Sequence, residues 1–415
     1  MTQADSFLPH RTAALSALQD FVPHAGRHYA SRRNYDLGAG RHEGVSQLSP
    51  YIRHRLLTEE EVLTAVLGRH SAEAAQKFIQ EVFWRTYWKG WLEMRPDVWQ
   101  SYQRALRGAV NDMQTQSQLR ARWESACLGQ TGIACFDGWA QELVDTGYLH
   151  NHARMWFASI WIFTLRLPWV LGADFFLRHL LDGDPASNTL GWRWVAGIQT
   201  PGKTYLARAD NIAKYTEGRF RPAPDDLAPV APAPETSPAA ERIGPPTSAS
   251  FDPKAPTAFV LHEEDLSPGW ILDRGLTPVG TALLAASDQA TPFRISPQVE
   301  SFRSRILHDT ATRWQARLGR VTDHATTAQA LSDWAREIGA KQIVTSYAPV
   351  GPVADVLSAI EGVPVVCPLR PYDERAWPHA TRGFFKFKDK IPDLLDHLSG
   401  PAPVKKEGET PRMAW

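Results

Sequence analysis

The segment LLDGDPASNTLGWRW, Leu180 to Trp194, holds the densest chemistry in the chain. Asp182 and Asp184 stand two apart in a glycine-containing turn, Asn188 follows four residues later, and Trp192 and Trp194 flank one arginine. Such a run can be an Asx-rich loop that caps a helix, with its indoles simply buried. The other reading is a flavin site, where carboxylates accept hydrogen bonds from ring NH groups, an amide faces the redox nitrogen and a neighbouring indole donates an electron; taken alone, the segment favours the cap. EGVSQLSPY, Glu43 to Tyr51, leads into a helix, and its hydroxyls and free amides suit either a helix cap or a phosphate. In FIQEVFWRTYW, Phe78 to Trp88, helical spacing gathers Glu81, Trp84, Arg85 and Trp88 on one face, either as a solvated ion pair or as an acid, a cation and two aromatic planes at one cleft. HNHARMW, His150 to Trp156, pairs two histidines, but no third ligand stands at a familiar metal spacing, so no metal is expected.

Most of these motifs need helices to position them. Apolar residues recur every three or four positions in FLPHRTAALSALQDFV, TEEEVLTAVLGRH, AEAAQKFIQEVFWRTYWKGWLEM and FDGWAQELVDTGYLHNHARMWFASIWIF, with Thr58 and Ser71 as N-caps. Eleven of the 16 tryptophans fall in this half, more than an ordinary core requires. The composition then shifts to Pro, Ala, Glu and Ser, which reads as a proline-stiffened linker. Beyond it, TAFVLH, GTALLAAS, KQIVTSY and VPVVCPL read as short buried strands separated by helical runs, the signature of a parallel sheet with helices on both faces. The expected organisation is a helical domain over 1–221, a linker over 222–255, an α/β domain over 256–400 and a tail over 401–415.

The 415 residues are long for one core, and 43% hydrophobic with 22% charged is globular composition. A formal net charge of +0 announces no global basic field, so any nucleic-acid site must be a local patch. Cys127, Cys135 and Cys367 form neither an even disulfide framework nor a metal set and are read as reduced thiols. The opening residues lack a leader pattern, and the most apolar run, Met155 to Leu165, is too short to span a bilayer. A cytoplasmic protein without membrane association is expected.

In their order and spacing, YASRRNYDL, EGVSQLSPY, FIQEVFWRTYW, TGYLHNHARM and LLDGDPASNTLGWRW closely resemble the successive motifs of the FAD-binding helical domain of the DNA photolyase and cryptochrome family. The resemblance implies that Tyr29 lies near the FAD phosphates and that Ser46, Leu48 and Ser49 match the TSxLS phosphate loop, with Val45 in place of its Thr. Arg85 and Arg154 match cofactor arginines, Asp182 and Asp184 the acids beneath the isoalloxazine ring, and Asn188 the residue facing flavin N5. Trp192 and Trp169 match the first two members of the electron-transfer tryptophan chain, whose third member has no counterpart near Asn111 to Arg120. Glu81, Trp84, Asn151, Met155 and Trp194 match the pocket of members that repair cyclobutane pyrimidine dimers; members that repair (6-4) lesions carry His at the position of Asn151. His152 stands where an Arg is usual, and the stretch after Trp194 lacks the family's YFRIFNP run. AFVLHEEDLSPGWIL, REIGAKQIVTSYAPVGPVADVL and HATRGFFKFKDKIPDLL resemble parts of the family's α/β antenna domain, which ordinarily comes first. The implied protein is a circularly permuted photolyase: an all-helical FAD domain followed by a doubly wound, Rossmann-like parallel sheet. It would be a monomer with FAD as cofactor, ultraviolet-damaged DNA as partner, and room in the α/β domain for a second, antenna chromophore of unassigned identity. Its activity would be light-dependent dimer repair by electron transfer, with a cryptochrome-like blue-light photoreceptor as the alternative.

Overall fold

The computed structural model describes residues 7–232, 240–323 and 327–398; the tail expected over 401–415, and residues 233–239 of the expected linker, lie outside them. The first half is helical: α1 (Arg11–Phe21), α2 (Arg27–Arg32), α3 (Ser49–Arg53), α4 (Glu59–Leu67), α5 (Gln76–Glu93), α6 (Asp97–Thr115), α7 (Ser117–Cys127), α8 (Ala134–Thr146), α9 (Asn151–Ser159), α10 (Trp169–His179), α11 (Pro185–Val195) and α12 (Ala209–Tyr215). Local chemistry starts these helices where needed. Thr58 and Glu61 close a reciprocal capping box on α4, and Asp184 caps α11 by accepting from the Ser187 amide, with Pro185 at the first helical position. Two boundaries differ from the sequence reading. Ser71 accepts from the Ala74 amide but caps only a turn, α5 starting at Gln76, and the run from Phe136 to Phe163 is not continuous. Gly147 adopts φ 68°, which ends α8, and α9 passes into a π-helical turn over Ile160–Thr164.

The second half alternates strand and helix, as expected. β1 (Thr257–His262), α13 (Gly269–Leu272), β2 (Pro278–Leu284), α14 (Pro297–Leu318), β3 (Arg320–Thr322), α15 (Ala328–Glu337), β4 (Gln342–Val344), α16 (Pro352–Ser358), β5 (Val365–Val366), α17 (Pro371–Ala376), α18 (Phe384–Lys388) and α19 (Ile391–Asp396) follow in order. The five strands lie β3-β2-β1-β4-β5, every pair parallel. β3 is an addition to the four strands expected; three residues are too few to show a period. Every residue of β1 is buried, so it reads as an unbroken apolar run with both faces covered. Ala258 and Val260 pack with α15 and α16, whereas Phe259 and Leu261 join α14 and the helical half in one continuous core that includes Tyr51, Phe83 and Phe302. Contact at this junction is close: a Cβ on Gly90 of α5 would stand 2.9 Å from the Trp377 Cα.

An ionic seam runs beside that core. The chain reverses its direction across the sheet between β1 and β4, and the crevice at such a switch point is where open α/β sheets commonly take ligands. Here the acids that follow β1 are held from both halves. Glu264 accepts a two-pronged contact from the Arg53 guanidinium, at 2.6 and 2.7 Å, and lies 3.2 Å from the Lys89 ammonium. Asp265 pairs with Arg370, and Arg55 with Asp373, each at 2.7 Å. Glu263 accepts from the amides of Ala286 and Ser287. All these side chains are buried. Removing one member of such a set leaves a charge stranded and costs about 3–5 kcal/mol.

Glu93, at the end of α5, accepts from the Tyr347 hydroxyl at 2.7 Å and the Val350 amide at 2.6 Å. Burial outweighs those donors and pushes its carboxyl up to about 7. Because the folded value stands above that of the unfolded chain, the stability linked to Glu93 is complete below about pH 4.5 and is lost as the pH rises through about 7. Glu93→Gln, which can accept from Val350 and donate to Tyr347 as the protonated acid would, should flatten this loss. In denaturant titrations the wild type should weaken by about 1–3 kcal/mol between pH 5.5 and 8.5 relative to the variant; equal slopes would remove Glu93 from the account.

Candidate functional site

α5, α9, α11 and the loops before α3 and α11 converge on a cavity of about 580 Å³. Tyr29, Ser46, Ser49, Glu81, Trp84, Arg85, Asn151, Arg154, Met155, Asp182, Asp184, Asn188, Trp192 and Trp194 all line it. Of the residues singled out from the sequence, Leu48 and Trp169 do not. Leu48 is fully buried in the core before α3, and Trp169 packs against Tyr102, with ring centroids 5.7 Å apart.

Each polar group is held by something specific. Asn188 donates its side-chain amide to the Ala173 carbonyl at 2.8 Å, so the oxygen end of that amide is the acceptor left for the cavity. Asp182 takes the Arg154 guanidinium on one oxygen at 2.9 Å, while its other oxygen is buried without a hydrogen-bond partner. Arg85 donates to the Ile52 and Arg53 carbonyls, leaving its buried Nε unpartnered. Asp184 receives the Ser187 amide and hydroxyl and lies 3.1 Å from Lys89. Burial alone would raise its carboxyl, but Lys89, Arg53 and Arg85 outweigh burial and hold it well below the usual carboxylate range. Asp184 is therefore a fixed anion, and Lys89 joins it directly to Glu264 of the seam.

These unmatched polar groups define what the cavity can bind. An acceptor from Asn188, an unshared oxygen of Asp182 and an unpartnered nitrogen of Arg85 all border the same space. A Cβ on Gly191 would meet no atom within 4 Å, so the α11 backbone lies open there. A large planar heteroaromatic with ring NH groups and an anionic tail satisfies this donor and acceptor set, and the site fits a flavin nucleotide.

Behind the cavity the indole of Trp192 is buried, its Nε1 without a partner. It meets Phe176 edge-on at 5.1 Å and Trp161 at 6.2 Å. Trp161, not singled out from the sequence, is thus the indole next to Trp192; its place in an apolar run gave no signal. Gly172 makes room for both rings, since a Cβ there would fall 2.3 Å from Trp192 and 2.9 Å from Trp161.

Toward the outside, Glu81 forms an ion pair with Arg33, and Trp84 stacks on Phe384 of the second half at 3.6 Å and 12°. One face of Trp84 is therefore already covered by protein. A second chamber of about 500 Å³ shares Tyr29, Arg33, Glu81, Asn151 and Met155, and Tyr205, Arg208, Asn211 and Tyr215 complete its wall. The stretch that departs from the family pattern after Trp194 supplies that wall. His152 stacks on Trp156 at 4.0 Å and reaches the Asn34 carbonyl at 3.0 Å. Among the described residues, Asp36, His42 and Glu142 bring potential metal-ligating atoms within 4.8 Å of one another, but Arg219 already neutralises Asp36 at 2.5 Å.

Residues 78–219 match the family model described as the FAD binding domain of DNA photolyase. The chain is 29% identical over 193 residues to a deoxyribodipyrimidine photo-lyase of Vibrio cholerae, covering 46% of this chain and 40% of that one. It is 32% identical over 204 residues to one of Thermus thermophilus, covering 48% and 45%. The chain thus spans less than half the length of these relatives. Among solved structures, a bacterial class III photolyase from Agrobacterium tumefaciens aligns at TM-score 0.44 and 26% identity, over 51% of this chain and 44% of that one.

Gly172→Ala should lower unfolding free energy by about 1–3 kcal/mol through overpacking against Trp192, measured by urea denaturation. Gly191→Ala, with open space around its Cβ, should cost the fold nothing; equal losses for the two would refute the packing account.

Proposed function

We infer from its likeness to the photolyase and cryptochrome family that this chain binds FAD in the larger cavity and uses blue light to split cyclobutane pyrimidine dimers in DNA. The observation that carries the reading is a single cavity bordered both by the flavin-type set, Asn188, Asp182, Arg154, Arg85 and Trp192, and by the dimer-type set, Glu81, Asn151, Met155 and Trp194. FAD, when bound, supplies the light-driven electron. The chain's residues hold and orient. Asp182 and Asn188 present acceptors to ring NH groups, Arg85 and Arg154 balance negative charge, and Ser46 and Ser49 offer hydroxyls to the phosphates. Glu81, steadied by Arg33, and Asn151 hydrogen-bond a dimer flipped out of the duplex, while Met155 and Trp194 give it apolar contact. Trp192, on the cavity wall, would be the aromatic beside a bound flavin, and it packs against Trp161 and Phe176.

The second half is read as the family's α/β domain moved to follow the helical one, with residues 222–255 as the join. One observation favours the photoreceptor as second reading: Lys89 connects Asp184 at the cavity to Glu264 of the sheet half, a path by which a change of charge at the cofactor would reach another domain.

The purified full chain, reconstituted with FAD, should lower the dimer content of ultraviolet-irradiated DNA under blue light and not in darkness. Glu81→Ala should slow repair roughly 10- to 100-fold while FAD stays bound. Trp192→Phe should slow photoreduction of the oxidised flavin. A flavin that photoreduces while dimers persist in light would replace repair with the photoreceptor reading.

A further inference from the structure

α18 is an unusual feature of the sheet half. Its Phe384 and Phe387 point inward, Phe384 stacking on Trp84 of α5 and lying 5.5 Å from Tyr87, and Phe387 packing on Phe83 and Tyr87. The Tyr87 hydroxyl donates to the Arg382 carbonyl at 2.7 Å and ties down the approach to the helix. Successive helical residues point about 100° apart, so clamping Phe384 turns Phe385 outward. Phe385 is 79% exposed, the most exposed large hydrophobic among the described residues and the only aromatic one. It is also the only one of that exposed set that borders the larger cavity, beside Trp84 and Trp88.

An isolated surface leucine or valine needs no explanation. A phenylalanine held rigidly at the rim of a cavity differs, because its ring gains nothing from the fold and can be buried only by what arrives. Arg382, Lys386 and Lys388 stand within three positions of it along the chain, the first two exposed and Lys388 half-buried, and the acid of this stretch, Asp389, lies 3.8 Å from Lys386 in a solvent-exposed pair that contributes little. A flat apolar ring set among cations at a cavity mouth suits a nucleobase with its phosphates.

We propose that Phe385 is a DNA contact supplied by the sheet half: its ring stacks on a base at the rim of the larger cavity, next to the place a flipped dimer vacates, with Lys386 and Lys388 toward the backbone. The inference rests on the repair reading and deepens it, because it makes the second half part of the substrate site. An inserted or stacked aromatic rewards a base pair that is already broken, so the contact should favour damaged over intact duplex.

The test is anisotropy titration of the full, FAD-loaded chain with a duplex carrying one dimer and with the same duplex undamaged, at fixed salt. Phe385→Ala should weaken binding to the damaged duplex roughly tenfold, with less change on the undamaged one, and Phe385→Trp should retain the wild-type preference. Leu128→Ala, at an exposed position away from the cavity, serves as control, and flavin absorbance with melting temperature shows that each variant is folded and loaded. A wild type that prefers damaged DNA, with Phe385→Ala preferring it equally, overturns the inference and leaves the repair reading standing. A wild type with no preference removes both.

Discussion

Glu264 is the residue on which the two halves agree. It is buried, and it survives as an anion only because Arg53 and Lys89 reach it from the helical half. Lys89 in turn fixes Asp184, which caps α11 and borders the cavity, so one ammonium links the sheet, the start of a helix and the candidate site. Taking Glu264 away would strip the buried Arg53 guanidinium of its carboxylate and leave Lys89 with Asp184 alone. The site's shape therefore depends on the second half even though most of its lining comes from the first.

The same junction explains why the crevice at the switch point of the sheet differs from the open ligand site of many doubly wound folds. The acids and the backbone after β1 are engaged by Arg53 and His54 of the helical half and by Arg303 and Arg370 of the sheet half. Domain packing uses the polar groups that would otherwise meet a small molecule. The candidate site lies instead on the helical side, where loops and helix starts leave polar atoms unmatched.

Much of this was legible in the sequence because the relevant residues lie close together along it. Asp182, Asp184, Asn188, Trp192 and Trp194 fall on one loop and helix, so their shared cavity follows from helical spacing. The alternation of buried strands and helices likewise fixed the class of the second half. What could not be read depends on contacts between distant segments. No local pattern announces that Phe384 will stack on Trp84, three hundred positions earlier in the chain. Trp161 hides in an apolar run whose π-helical turn has no period of its own. The triplet Glu263, Glu264, Asp265 did carry a signal, three acids directly after a fully buried strand, which asks for buried cations elsewhere.

Burial of the seam also sets how ionic strength acts on the molecule. Dissolved ions screen charges that water reaches and have little purchase on Arg53, Lys89, Arg55 and Arg370, which water does not. The exposed Lys386 of α18 sits in the opposite regime, so concentrated salt would weaken its attraction for any polyanion while the two halves stay locked together.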